Sequence, residues 1–117
     1  MFKVTLEGVD YKVAFHHNVK PDFMEKRKYT VCNIYIVKYP IEDAADQKPT
    51  YELISTGYAY CSIKDNFNYE LGRKISLGRA LHNRFLKKER DLFVNTYHNK
   101  QKYDTQRSKL AEYRKLV

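Results

Sequence analysis

The chain has 117 residues, 43% of them hydrophobic, and a formal charge of +8, enough for one domain (1–117) with a modest core. No apolar run approaches the ~20 residues of a membrane span. Met1–Glu7 alternates like a strand instead of carrying a signal peptide's apolar block, so a cytoplasmic protein with no membrane role is expected.

Residues 2–17 read as a β-hairpin. Phe2, Val4 and Leu6 alternate with polar residues, Glu7-Gly8-Val9-Asp10 supplies a turn, and Tyr11, Val13 and Phe15 alternate on the return. Residues 18–28 are polar, contain Pro21 and read as a loop. A third strand is expected over Tyr29–Tyr39, rich in Val, Ile and Tyr and ended by Pro40. An acidic loop bounded by prolines follows over 40–49. The fourth strand runs over Tyr51–Cys61, with Gly57 expected to mark a bulge. Tyr58 and Tyr60 share one strand face; Tyr35 and Tyr39 share another. Four strands in succession favour an antiparallel meander with one face needing a cover.

Helical periodicity starts near Asp65, with Asp65 or Asn66 as the cap. Phe67, Leu71, Ile75, Gly78, Leu81 and Phe85 recur every three or four residues and predict the core-facing stripe. Gly72, Ser76 and Ala80 form a second stripe of small residues, fit for close packing or for admitting a ligand or symmetry mate. A second helix is expected over Arg90–Tyr97, with Leu92, Phe93, Val94 and Tyr97 as contacts and a break at 98–101. The tail from Thr105 to Val117 is basic and helical. Its apolar face of Leu110, Tyr113 and Val117 is too narrow to hold a helix alone in water, so it docks on its own domain or on another copy. The expected class is α+β: a four-stranded antiparallel meander (about 2–61) followed by two or three C-terminal helices (about 65–117).

Charge is uneven. Residues 1–70 hold nine Lys/Arg against ten Asp/Glu, whereas residues 71–117 hold 13 against four. A neutral front and a strongly basic back call for an anionic partner. Little points to catalysis. There is no nucleophile elbow, recurring carboxylate pair, P-loop or dinucleotide fingerprint. Cys32 and Cys61 lie in apolar strand runs and read as reduced thiols. With no C-x-x-C, and with His16-His17 ending a strand, neither a metal nor a cofactor is expected. His82 reads as a surface residue.

Arg73 and Arg79 stand six apart, about 240° net around a helix, so they cannot form one simple clamp. With Gly78 facing the core, Arg79 sits at its edge. A partly buried guanidinium there needs a carboxylate, such as Glu52, Asp65 or Glu70, or a phosphate. Three functional readings follow. A compact anionic-nucleotide site would use Arg79, Arg84 and Arg73 for phosphate, Asn83 for a base edge or ribose, and Phe67, Tyr58 or Tyr60 for stacking. A nucleic-acid binder would use a wider surface of Lys87, Lys88, Arg90, Arg107, Lys109, Arg114 and Lys115. Of the 11 tyrosines, those in strands (Tyr29, Tyr35, Tyr39, Tyr51, Tyr58 and Tyr60) would then serve as stacking platforms beside a basic helix surface, although the RRM signature is absent. A protein inhibitor or assembly subunit would offer its basic tail to an acidic partner. A homo-oligomer fits all three, because the elements offer more apolar face than one small domain covers.

The segment Gly57-Tyr58-Ala59-Tyr60-Cys61-Ser62-Ile63-Lys64-Asp65-Asn66-Phe67, followed by Gly72-Arg73-Lys74-Ile75-Ser76-Leu77-Gly78-Arg79-Ala80-Leu81, resembles a pattern in small proteins of bacteriophages and mobile elements. The strands-then-helices layout is similar to the phage Thoeris anti-defence family, oligomeric sponges that bind cyclic nucleotide immune signals without cleaving them. The resemblance implies a non-enzymatic, homo-oligomeric binder of an anionic nucleotide in the host cytoplasm. None of that family's binding residues aligns onto this chain, so none is carried over. Anti-CRISPR proteins are similarly small and phage-borne and offer the protein-inhibitor alternative.

Overall fold

The computed structural model describes residues 1–19, 27–40, 48–61, 66–82 and 84–116, with the backbone alone described over 103–116. Strands β1 (Phe2–Leu6), β2 (Val9–Asn18), β3 (Tyr29–Lys38) and β4 (Thr50–Tyr60) precede helices α1 (Tyr69–Leu81) and α2 (Lys87–Leu116). The sheet is a fully antiparallel meander in the order β1-β2-β3-β4, as the succession of alternating runs predicts. The first turn takes two left-handed residues, Glu7 (φ 49°) and Gly8 (φ 79°), the geometry that matches strand twist in a tight hairpin.

Both helices pack on one face of the sheet, α1 over β3 and β4 and α2 against β1. The core between these layers holds Phe2, Val4, Val13, Cys32, Ile34, Leu77, Ala80, Leu81, Phe85, Phe93 and Tyr97. Phe93 is completely buried, and Phe85, Phe93 and Tyr11 form an aromatic knot with centroids 4.8–5.8 Å apart. Burying a side chain of this size contributes about 3 kcal/mol.

The face that α1 buries differs from the predicted one. Gly72, Ser76, Leu77, Ala80 and Leu81 are inside, while Leu71 and Ile75 are exposed and Gly78 points at open space. Leu81 and Phe85 of the predicted stripe are in the core, but at Leu71, Ile75 and Gly78 the small residues Gly72, Ser76 and Ala80 take the place on the sheet, because there the helix backbone lies too close to the strands for bulky side chains. Gly57 explains the approach from the other side. A Cβ there would overlap the Ser76 carbonyl and the Ala80 amide, and a Cβ at Gly72 would press on Thr30. The Ser55 hydroxyl donates to the Ala80 carbonyl across the same gap.

Gly57 is therefore a point of close contact and not the predicted bulge. The irregularity lies further along: Ile34 pairs with Ser55 but Tyr35 with Leu53, which makes Ile54 the extra residue. The cap of α1 is Asn68, whose side chain accepts from the Leu71 amide at 3.0 Å. Asn66 precedes it, and Asp65 lies outside the described residues.

Helix α2 begins at Lys87, earlier than expected, because Glu89 accepts the Leu86 amide at 2.8 Å, the backward half of a capping box. It then runs 30 residues without the break expected at 98–101. No Gly or Pro interrupts it, and Tyr97 is anchored in the core, which outweighs weak local propensity. Neither helix is long and apolar enough to cross a membrane.

Candidate functional site

The sheet face opposite the helices carries most of the strand tyrosines. Register puts Tyr29 opposite Tyr60 and Val31 opposite Tyr58, and cross-strand partners share a face. The bulge at Ile54 matters here. Unbroken alternation would place Tyr51 and Leu53 with Ser55, Gly57 and Ala59 under α1. The extra residue turns them outward, opposite Val37 and Tyr35. Tyr35 and Tyr39 thus fall on the same sheet face as Tyr58 and Tyr60.

The tyrosines gather into two clusters. At one end Tyr58 and Tyr60 stack at 6.0 Å and 12°, with Tyr29 5.6 Å from Tyr60 and the Arg27 guanidinium 4.6 Å over the Tyr60 ring. At the other, Tyr35 meets Tyr51 edge-on at 6.4 Å and the Lys12 ammonium sits 4.2 Å over the Tyr51 ring. Tyr51, Tyr58 and Tyr60 are each 45% exposed. Six residues of β3 separate the clusters, about 20 Å at ~3.4 Å per residue. Between them Asn33 accepts from the Thr56 hydroxyl at 2.9 Å through its amide oxygen, leaving its NH2 donors uncommitted among the described residues. The face is basic: among the described strand residues Lys3 and Lys12 stand against Asp10, and Arg27 joins them from just before β3. Hydrogen bonds from Thr5 (2.6 Å) and Tyr39 hold the Asp10 carboxyl below its usual value and push the Tyr39 phenol up.

The arginines singled out from the sequence diverge. Arg79 is exposed and donates to the Tyr58 carbonyl at 2.7 Å, joining α1 to the edge strand behind the first tyrosine cluster. Of its expected carboxylate partners, Glu52 pairs with Lys38 (2.6 Å) and Glu70 with Lys74 (3.2 Å). Arg73 turns the other way, its Nε donating to the Tyr97 hydroxyl on α2 at 3.0 Å. Arg84 is exposed in the turn between the helices, and Lys87 and Lys88 are exposed at the start of α2. Phe67 packs edge-on against His17 and Tyr69, away from Tyr58. Asn83 and the side chains of Arg107, Lys109 and Arg114 lie outside the described residues.

A second concavity missed by sequence reasoning occupies the opposite edge of the sheet. Strand β1 starts at Phe2, opposite Val13, so Ala14–Asn18 of β2 have no β1 partner. There Phe2, Phe15, His17, Arg73, Tyr97 and Lys100 are among the residues lining a cleft of about 440 Å³. His17 Nδ1 lies 2.8 Å from the buried Thr30 hydroxyl. Burial first, then Arg73 and His16, push the imidazole below its ordinary value, so it is neutral at pH 7. The signal for this cleft was long-range: Arg73, Tyr97 and His17 meet only through folding. Among the described residues no cluster of His, Cys, Asp and Glu could hold a metal ion. No family model, curated protein or solved structure matches the chain.

Proposed function

We propose that the open sheet face binds single-stranded nucleic acid without catalysis, stacking bases on its two tyrosine clusters. The observation that carries this reading is the pairing of each exposed tyrosine cluster with a cation set over a ring. Every base has a π-face, so tyrosine platforms take bases with little sequence preference, at about 1–3 kcal/mol per stacked base. Lys3, Lys12 and Arg27 are spaced along this surface, with Arg79 at its β4 edge, to neutralise phosphates, and Asn33 supplies donors midway for a base edge. A duplex hides its base faces and gains only the electrostatic part. Arg73 and Arg79 turn to different sides of α1 and Arg84 lies in the turn after it, which leaves the extended surface the better supported of the two.

The test is anisotropy of a labelled single strand titrated with protein over a range of salt. With three or four phosphates contacted, log K should fall with log salt at a slope of about −2 to −3. Tyr58→Ala/Tyr60→Ala should weaken binding at least about tenfold while leaving that slope unchanged. The protein has no tryptophan, so its intrinsic emission is tyrosine's and should be quenched as bases stack. A tyrosine variant that binds as tightly as the parent, or a preference for duplex, refutes the proposal.

A further inference from the structure

We infer that the cleft between the β2 edge and the two helices is a second binding site, independent of the tyrosine face, for a phosphate monoester on a planar body of mononucleotide size. Its volume of about 440 Å³ falls in the range of small-ligand pockets. Three elements each send a nitrogen-bearing side chain to it: Arg73 from α1, Lys100 from α2 and His17 from β2. Among the described lining residues there is no carboxylate.

Arg73 is the anchor. It is half-buried, and its one side-chain partner among the described residues is neutral, the Tyr97 hydroxyl at 3.0 Å on Nε. That bond fixes the plane of the guanidinium and leaves its two terminal nitrogens for a bidentate grip on an oxyanion. A partly desolvated cation facing no carboxylate is stabilised when an anion arrives. Lys100, already held by the Met1 carbonyl, stands on the same side and adds a second charge. The apolar part of the lining is aromatic. Phe2, Phe15 and Tyr97 pack on one another at 5.8–6.3 Å and give a planar ligand body a dry surface. Beyond the reach of β1, the β2 edge from Ala14 to Asn18 adds main-chain donors at the rim. His17 faces this site from β2, with His16 beside it in the strand, Thr30 from β3, and Arg73 and Tyr69 from α1. A bound phosphate offsets the repulsion from Arg73 and draws a proton onto the imidazole.

The experiment is an NMR titration of the full chain with adenosine monophosphate, adenosine and inorganic phosphate as separate probes. The monophosphate should give saturable shifts at His17, Phe15 and the Arg73 Nε–H, and an upward move in the His17 titration midpoint. Adenosine and phosphate alone should each bind at least about tenfold more weakly, because each lacks half of the contacts. Arg73→Gln should weaken the monophosphate at least about tenfold and Arg73→Lys by less, since lysine keeps the charge and loses the fork. Tyr58→Ala/Tyr60→Ala should leave this affinity within about twofold. That variant separates the cleft from the tyrosine face, so either site can fail without the other. Shifts confined to Tyr29, Tyr58 and Tyr60, or an unchanged affinity in a folded Arg73→Gln protein, overturn the inference. Should Arg73→Gln fail to fold, Arg73→Lys and the wild-type His17 midpoint decide it: no change in either overturns it too.

Discussion

Replacing Gly57, Gly72 and Gly78 by alanine, one at a time, should change stability in opposite directions. Gly78 lies inside α1 with no described neighbour within 4 Å of where a Cβ would stand, so alanine there gains helix propensity of about 1 kcal/mol and costs nothing in space. Gly72 would gain the same propensity, but its Cβ comes 3.1 Å from the Thr30 Cβ and closer still to the hydroxyl. Thr30 is fully buried and its hydroxyl is bonded to His17, so it cannot swing aside without losing that bond, worth about 1 kcal/mol. With ~1–3 kcal/mol for overpacking, the balance is a loss of about 1–3 kcal/mol. At Gly57 both obstacles are backbone atoms of α1 and no rotamer relieves them. The helix must lift from the sheet, at about 3 kcal/mol or more. Urea denaturation followed by far-UV circular dichroism gives the order directly, and a change of 1 kcal/mol should move the thermal midpoint by about 4 °C. Gly72→Ala as stabilising as Gly78→Ala would refute the close approach of α1 and the burial of its small-residue stripe.

Other consequences are quick to check. Thiol labelling of the native protein should modify Cys61, which is half-buried, well before Cys32, whose thiol is fully buried and pushed up to about 12 by desolvation; equal rates would contradict the packing of β3. Asn68→Ala should destabilise the fold by about 1 kcal/mol through loss of the α1 cap, and Asn68→Asp should retain most of it. The His17 imidazole is lowered from 6.5 in the folded state, so the unfolded chain binds the proton more readily. Its contribution is complete above about pH 6.5 and fades as pH falls towards the folded midpoint. Denaturation midpoints measured across that window should decline towards acid, and His17→Gln should flatten the decline.

The strands were legible because each needs only its own alternation, and the order of four such runs before a helical half implies a meander. The orientation of α1 was not. Its larger apolar residues and its small ones form rival stripes, and choosing between them requires knowing that Gly57 on another strand leaves room for backbone contact. The continuity of α2 was hidden for a similar reason: Tyr97 holds it through the weak stretch by packing on Phe2 and Phe15. For the tyrosine face, parity within one strand shows that Tyr58 and Tyr60 go together. Only register shows that Tyr29 and Tyr35 join them, and only the extra residue at Ile54 brings Tyr51 round.

These same features tie the open face to the packing beneath it. Bulky residues at positions 72, 76 and 80 would hold α1 away from β3 and β4. The helix then could not seat on Gly57, and Arg79 would lose its reach to the Tyr58 carbonyl at the strand edge. With α1 seated close and α2 against β1, one layer of helix covers one face, and nothing among the described residues packs as a second layer on the other. An uncovered sheet face must tolerate water and still give its strands good cross-strand contacts. Tyrosine does both, because its ring packs on a neighbour while its hydroxyl stays hydrated. Hydration alone would also be met by threonine or serine. The cations set over Tyr51 and Tyr60 are what favour a ligand: they place positive charge beside planar aromatic surface, the pairing that a stacked base and its phosphate require.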